Sequence, residues 1–345
     1  MSIIRVPQDV PSINEAVTLA NKGDTIKVCS GIYSGCVVIN KENLKIIGVG
    51  CSTPVLTSDS SCCDSAFIIC AKAVDISNFI ISGIYENGIF IGAPYATIQN
   101  CQISNSVNCG ILISECANNT LIQKVSSHAN GEDGICCNGN NACIIDCSCK
   151  ENKNNGISIC GVNNLILRST ISKNANDGVH ICCNYSPECA MNIIIESKID
   201  HNGGDGIDSN LNSNLILENR IYENHGDAID ISDTRESTVL QNTIECNRGN
   251  AVQIANGDSN RVISNKIVCN KCNGVVIGDC GNNNSVDDNA FVSNNLAGVL
   301  LGCQSYDNAI RDNCFECNDP NVSAYPPANT NNFFSGNVKI NNCCC

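Results

Sequence analysis

The chain has 345 residues, 28 of them cysteine, with no tryptophan, seven phenylalanines and seven tyrosines. Hydrophobic residues make up 43% and charged residues 16%, enough apolar side chain for a sizeable core and too regular a balance for a disordered chain. The formal net charge of −14 argues against a nucleic-acid binder, which needs clustered Lys and Arg, and against docking on anionic membranes; cationic ligands, calcium and neutral sugars stay open.

The opening Met1-Ser2-Ile3-Ile4-Arg5-Val6-Pro7 has neither a basic n-region nor a long apolar h-region. No signal peptide is expected, and no run of 18 apolar residues predicts a membrane-spanning helix. Residues 10–21 keep the helical period, with Ile13, Ala16, Val17 and Ala20 on one face. Ser12 is the expected N-cap and Glu15, three residues on, completes a capping-box pattern. This helix is expected to cover the N-terminal end of a repeat array.

A unit of 22 to 24 residues recurs along the rest of the chain. Its clearest landmark is a turn residue, Gly, and an apolar–any–apolar triplet, as in Cys109-Gly110-Ile111-Leu112-Ile113. The landmark returns at Gly134, Gly156, Gly178, Gly206, Gly274 and Gly298, with Ala228 and Ala251 in the Gly place. One insertion, near residues 182–193, lengthens a single step. Seven residues before each Gly stands a second, mostly apolar position (Ile103, Ile171, Ile199, Ile221, with Ser127 and Cys149 in two coils), and five before that a third (Ile98, Ile166, Ile194, Ile216). Three short apolar segments per unit leave no room for a helix in each, so leucine-rich and ankyrin arrays fit worse than a coil of three strands. Asn130, Asn152, Asn174, Asn202, Asn224, Asn247, Asn270, Asn294 and Asn318 keep one phase, and Asn219, Asn242, Asn265, Asn289 and Asn313 another. Such columns stack side chains from coil to coil and hydrogen-bond along them.

The expected fold is therefore all-β: a right-handed single-stranded parallel β-helix of roughly 13 coils of 22–24 residues with a short N-terminal capping helix. Residues 1–345 read as a single β-helix domain, with 1–30 the cap, 31–318 the coils, and 319–345 the last coil and a Cys-rich tail.

The segments Ile4-Arg5-Val6-Pro7-Gln8-Asp9, Ile13-Asn14-Glu15-Ala16-Val17, Gly23-Asp24-Thr25-Ile26-Lys27-Val28 and Gly31-Ile32-Tyr33 resemble the start of right-handed β-helix proteins of the pectin-lyase-like superfamily. The repeats are similar to those of its NosD-like, carbohydrate-binding and sugar-hydrolase group. The resemblance implies the fold over the whole chain and leaves activity open, because one β-helix hosts lyases, hydrolases, epimerases and inert scaffolds. The Asp-Pro-His of alginate epimerases is absent, as are the Asn-Thr-Asp and Gly-His-Gly segments of polygalacturonases.

In each Gly–apolar–x–apolar strand, x points outward. That column reads Phe90, Leu112, Cys136, Ser158, His180, Asp208, Asp230, Gln253, Val276, Leu300. Asp177, Asp205 and Asp227 stand just before the Gly position, where Asp is also ordinary turn chemistry. A candidate catalytic face results, made of His180, Asp205, Asp208, Asp227 and Asp230, with calcium at Asp208 and Asp230 the metal the pattern allows. His201, Glu223, His225 and Asp233 lie nearby in sequence, and Phe90, Tyr185 and Tyr222 are the outward rings left for sugar stacking.

Cys246 and Cys269, like Cys160 and Cys182, occupy repeated slots whose stacking falls within disulfide range. Cys137 and Cys149 replace inward apolar residues and read as core thiols. Cys269-x-x-Cys272 and Cys314-x-x-Cys317 are a weak zinc signal, since two pairs must converge on one ion. The tail Cys343-Cys344-Cys345 suits intermolecular cross-linking. The leading functional expectation is a non-catalytic structural or carbohydrate-contacting solenoid, fixed by disulfides to itself or to other cysteine-rich surface proteins. It would be made in the cytoplasm and incorporated into a bacterial spore coat or exosporium. The rival expectation is a polysaccharide-active enzyme, a lyase or epimerase ahead of a glycoside hydrolase.

Overall fold

The computed structural model describes residues 2–58, 64–182, 191–325 and 331–340. It is a parallel β-solenoid of about 14 turns with three parallel sheets and, among the described residues, one helix. The described residues form two compact units, 1–170 and 171–345, each described by itself.

In residues 1–170 one coil shows how the sequence is used. The strands Thr97–Gln99, Gln102–Ser104 and Ile111–Ile113 each have three residues and belong to the first, second and third sheets in turn. Pleating turns one residue of each of the first two strands inward (Ile98, Ile103) and two of the third (Ile111, Ile113), all fully buried. The next coil repeats this in register, Ile98 beside Ile122, Ile103 beside Ser127 and Ile111 beside Ile135. Each interior aliphatic side chain contributes about 1.5–3 kcal/mol on burial. Where the inward residue is Ser127, its hydroxyl donates to the Gly134 carbonyl at 2.7 Å and accepts from Asn130.

Such short strands require sharp corners. A left-handed residue sits between the first and second strands (Lys124, φ 52; Asp146, φ 55) and another after the second (Ala129, φ 54; Glu151, φ 56). Each costs about 1 kcal/mol outside Gly; after the second strand the cost is offset by the asparagine that follows the corner, Asn130 donating to Asn152. At Gly134 the constraint is packing: an added Cβ would stand 2.6 Å from the Gly156 carbonyl oxygen.

The helix spans Ile13–Leu19, shorter than the pattern suggested, and the Ser12 side chain accepts the Glu15 N–H at 3.2 Å. Ile13, Ala16 and Val17 are buried, and the helix packs on the strands Ile3–Val6, Thr25–Cys29 and Val37–Ile39. Two of these strands already belong to the first sheet.

Residues 171–345 repeat the scheme, with Ile194 beside Ile216, Ile199 beside Ile221 and Ile207 beside Ile229. Here the asparagine columns are continuous. The Asn174 amide donates to Asn202, and the chain of bonds runs on through Asn224, Asn247, Asn270 and Asn294 to Asn318 at 2.9–3.0 Å. The second column runs from Asn219 to Asn337. A third, through Asn260, Asn284, Asn308 and Asn332, was not anticipated. In the last described coil Phe333, Phe334, Val338 and Ile340 are exposed.

Candidate functional site

The candidate face is the outer side of the third sheet in residues 171–345, built from two columns. The column before the Gly position is a backbone ladder. Asp177 Oδ1 accepts the Asp205 N–H at 2.8 Å, Asp205 Oδ1 accepts the Asp227 N–H at 2.6 Å, and Asp227 Oδ1 accepts the Asn250 N–H. Asn250 and Asn273 continue it with their amide oxygens. The turn role expected of these aspartates is real, and it commits one oxygen of each.

The outward column is in register as the alternation required: His180 beside Asp208, Asp208 beside Asp230, Asp230 beside Gln253. His180 Nδ1 lies 2.8 Å from Asp208 Oδ2 and 3.7 Å from Asp177 Oδ2. Asp230 Oδ1 accepts the Ser232 N–H at 2.8 Å. One oxygen from each of Asp205, Asp208 and Asp230 falls within 4.8 Å of the others, and the same limit holds for Asp177, His180 and Asp208. Both triads have the donor types and spacing to hold a cation, the first with the all-oxygen set calcium prefers.

So many acids in one place move their proton affinities. Burial, then the charges of Asp227, Asp177 and Asp230, lifts Asp205 to about 7, against the pull of its bond from the Asp227 N–H. Burial and the Asp230 charge lift Asp227 to about 6. Asp177 and Asp230 are raised as well, burial being the main cause in each. His180 is raised to about 10, first by its hydrogen bond to Asp208 and then by one to Cys182, so it is an imidazolium at neutral pH. The face thus holds a carboxyl that is half protonated near pH 7 beside a carboxylate clamped by a cation.

Of the other residues nearby in sequence, Asp233 adds its charge to those that raise Asp230, while His201 and Glu223 turn away. His201 bonds Asp200 through Nδ1 at 2.7 Å and Glu223 through Nε2, at the corner after the second sheet. Tyr222 is no open sugar platform: the Arg220 guanidinium lies 4.5 Å and the Lys198 ammonium 5.3 Å from its ring centre. Asp200, Lys198 and Arg220 were missed in the sequence; their signal was their place beside Tyr222 in the second-sheet columns. Phe90 lines a hollow of about 310 Å³ with Ile68 and Leu112 on the third sheet of residues 1–170. Tyr185 and most of the 182–193 turn lie outside the described residues.

Among the described residues, nineteen cysteines keep their thiols, and Cys36 and Cys317 are disulfide-bonded. The slots at Cys246, Cys269, Cys160 and Cys182 carry thiols, so stacking within range has not produced bridges there. Cys137 and Cys149 are fully buried core thiols as expected, and burial pushes Cys137 up to about 12. Neither Cys-x-x-Cys pair joins a metal-competent cluster among the described residues. Cys343, Cys344 and Cys345 lie outside the described residues.

The family model described as "Right handed beta helix region" matches residues 64–198 and 186–315. No curated protein matches the sequence. Among solved structures, the A-module of the mannuronan C-5 epimerase AlgE6 of Azotobacter vinelandii is 16% identical with a TM-score of 0.65, covering 95% of this chain and 93% of that one. The Dettilon tailspike protein is 13% identical with a TM-score of 0.69, covering 93% and 68%. The family 6 polysaccharide lyase Pedsa3628 of Pseudopedobacter saltans is 12% identical with a TM-score of 0.61, covering 99% and 92%. At these identities the likeness is one of fold.

Proposed function

The chain belongs to the right-handed β-helix family, and we propose that it is a polysaccharide-active member whose acidic face works as an acid–base site on a neutral glycan. The observation that carries this reading is the Asp205–Asp208–Asp230 triad, one oxygen of each carboxyl within 4.8 Å of the others, with Asp205 held at about 7. Asp205 is the general acid that protonates the leaving glycosidic oxygen. Asp208, clamped by the His180 imidazolium, is the carboxylate that attacks or stabilises the oxocarbenium-like carbon. Facing oxygens within 4.8 Å of one another fit the close carboxyl pair of retaining glycosidases, about 5–5.5 Å, better than the about 6.5–9.5 Å pair that leaves room for an attacking water. On this reading a hydrolase is preferred to the lyase or epimerase that the sequence put first among enzymes. A uronate polymer would bring further negative charge to an acidic face whose cation, His180, is already engaged.

The test is a panel of neutral and uronate polysaccharides incubated with the protein, with reducing ends and product anomer measured. Cleavage of a neutral glycan with retention, lost in Asp205→Asn and Asp208→Asn, is expected. General acid catalysis accounts for about 10²–10⁴ in rate, so kcat should fall by that factor in Asp205→Asn. Cleavage only of uronates, with calcium required and unsaturated ends formed, would replace the hydrolase by a lyase.

A separate observation favours assembly at a surface as well. Cys51, Cys70, Cys116, Cys246, Cys269 and Cys280 are exposed thiols, available for oxidation once the protein leaves a reducing compartment. Cross-linking through these and Cys343–Cys345 predicts multimers on a non-reducing gel that collapse on reduction. A monomer under both conditions refutes it.

A further inference from the structure

The same two columns carry a different donor set in residues 1–170. The column before the Gly position holds Cys109 and then Asp133, and the outward column holds Cys136, in register between Leu112 and Ser158. Cys109 and Asp133 are buried, with exposures of 4% and 7%, and Cys136 is half-buried. The two sulfurs and a carboxylate oxygen of Asp133 lie within 4.8 Å of one another. The surrounding ladder fixes them. The Cys109 N–H donates to Asn87 Oδ1 at 3.2 Å, and Asp133 Oδ1 accepts from Asn154 Nδ2 and the Asn155 N–H, each at 2.9 Å. Glu132 Oε2 lies 3.8 Å from the Cys109 sulfur.

We propose that Cys109, Asp133 and Cys136 form a binding site for a thiophilic divalent cation, zinc being the type, with Glu132 placed to supply a fourth ligand. Zinc takes four ligands tetrahedrally, at about 2.3 Å for sulfur and about 2.0–2.2 Å for carboxylate oxygen. Ligand atoms around such an ion stand roughly 3.3–3.8 Å apart by that geometry, so closing the cluster asks for movements on the order of an ångström. Two sulfurs disqualify calcium and magnesium, which take oxygen shells. Without an ion, a hydrogen bond with Cys109, burial, and the charges of Cys109, Asp133 and Cys160 oppose ionisation of Cys136. A divalent cation reverses that balance: two thiols give up two protons, two sulfur–metal bonds form, and nothing is oxidised. The ladder contributes the second shell, since the Asp133 oxygen held by Asn154 and Asn155 orients the ligating carboxylate.

The test uses the full chain, reduced, stripped with chelator and titrated with zinc against a chromophoric competitor. Wild type should bind one tight equivalent that Cys109→Ser and Cys136→Ser bind about 100-fold or more weakly. Cys143→Ser, a half-buried thiol outside the cluster, should keep it. Circular dichroism checks that each variant is folded. If the serine variants do not fold, X-ray absorption of wild type with one equivalent of zinc decides: two sulfurs at about 2.3 Å and two lighter ligands are expected. Equal affinity in all four proteins, or a zinc shell with any other sulfur count, overturns the proposal. So does a Cys109–Cys136 disulfide mapped from protein extracted with its thiols blocked, if the reduced protein then binds no tight zinc.

Discussion

Replacing Asp205 by asparagine separates the charge of the acidic face from its shape. Asn250 and Asn273 stand in the same column and accept the next backbone N–H through Oδ1 just as Asp205 does, so the variant keeps its rung. What it loses is a carboxyl whose proton affinity has risen from 3.8 to about 7. At about 1.4 kcal/mol for each factor of ten, that rise bounds the stability effect at about 4 kcal/mol. Asp205 is only half-buried, and solvent screening brings the figure to about 2 kcal/mol. The folded state holds the proton more tightly than the unfolded one. The stability this contributes is therefore full below 3.8 and lost as pH rises through about 7. Wild type should weaken by about 2 kcal/mol between about pH 4 and about pH 8 from this group alone. Asp205→Asn should match wild type at the low end and exceed it by about 2 kcal/mol at the high end, while losing activity. Urea unfolding followed by circular dichroism at the two pH values measures this. A variant less stable than wild type at high pH, or one with an unchanged pH dependence, refutes the reasoning.

The same geometry sets three other outcomes. The His180 imidazole should titrate at about 10 by NMR, adding stability that is full below 6.5 and lost as pH rises through about 10, and Asp208→Asn should return it toward its ordinary value. Asn247→Ala should cost about 3 kcal/mol in urea unfolding, because Asn247 is fully buried, and its loss removes the acceptor of the Asn224 N–H and one bond each from the Asn224 amide, which keeps the Ile199 carbonyl, and from the Ile221 carbonyl. Calcium should bind the Asp205–Asp208–Asp230 triad more tightly as pH rises through about 7, and Asp230→Asn should weaken it; calorimetry at two pH values reads both.

The fold was legible because every coil repeats the same demands. An inward Ile or Val per strand, a small residue where backbones close up, and an Asn after the corner that follows the second strand recur in phase, so departures at single positions such as Ser127 do not disturb the reading. The third asparagine column was less visible because Ser237 stands in line before Asn260, and Ser237 accepts and donates in the same ladder. The outward column His180–Asp208–Asp230 followed from strand alternation alone. Corner residues do not alternate, which is why proximity in sequence misplaced His201 and Glu223: both adopt left-handed backbone (φ 56 and 54) and turn toward Asp200 and each other. The Cys109–Asp133–Cys136 cluster draws on two columns and two coils, a combination that no single column displays.

The most direct measurement is a crystal structure of the Asp205→Asn protein with a neutral oligosaccharide that the wild type cleaves. The expected result is a sugar lying across the His180–Asp230 face. Its glycosidic oxygen should stand within hydrogen-bond distance of the substituted amide at position 205, with its anomeric carbon facing Asp208. An oligosaccharide seated on another face of the solenoid, with these residues untouched, would contradict the proposed site.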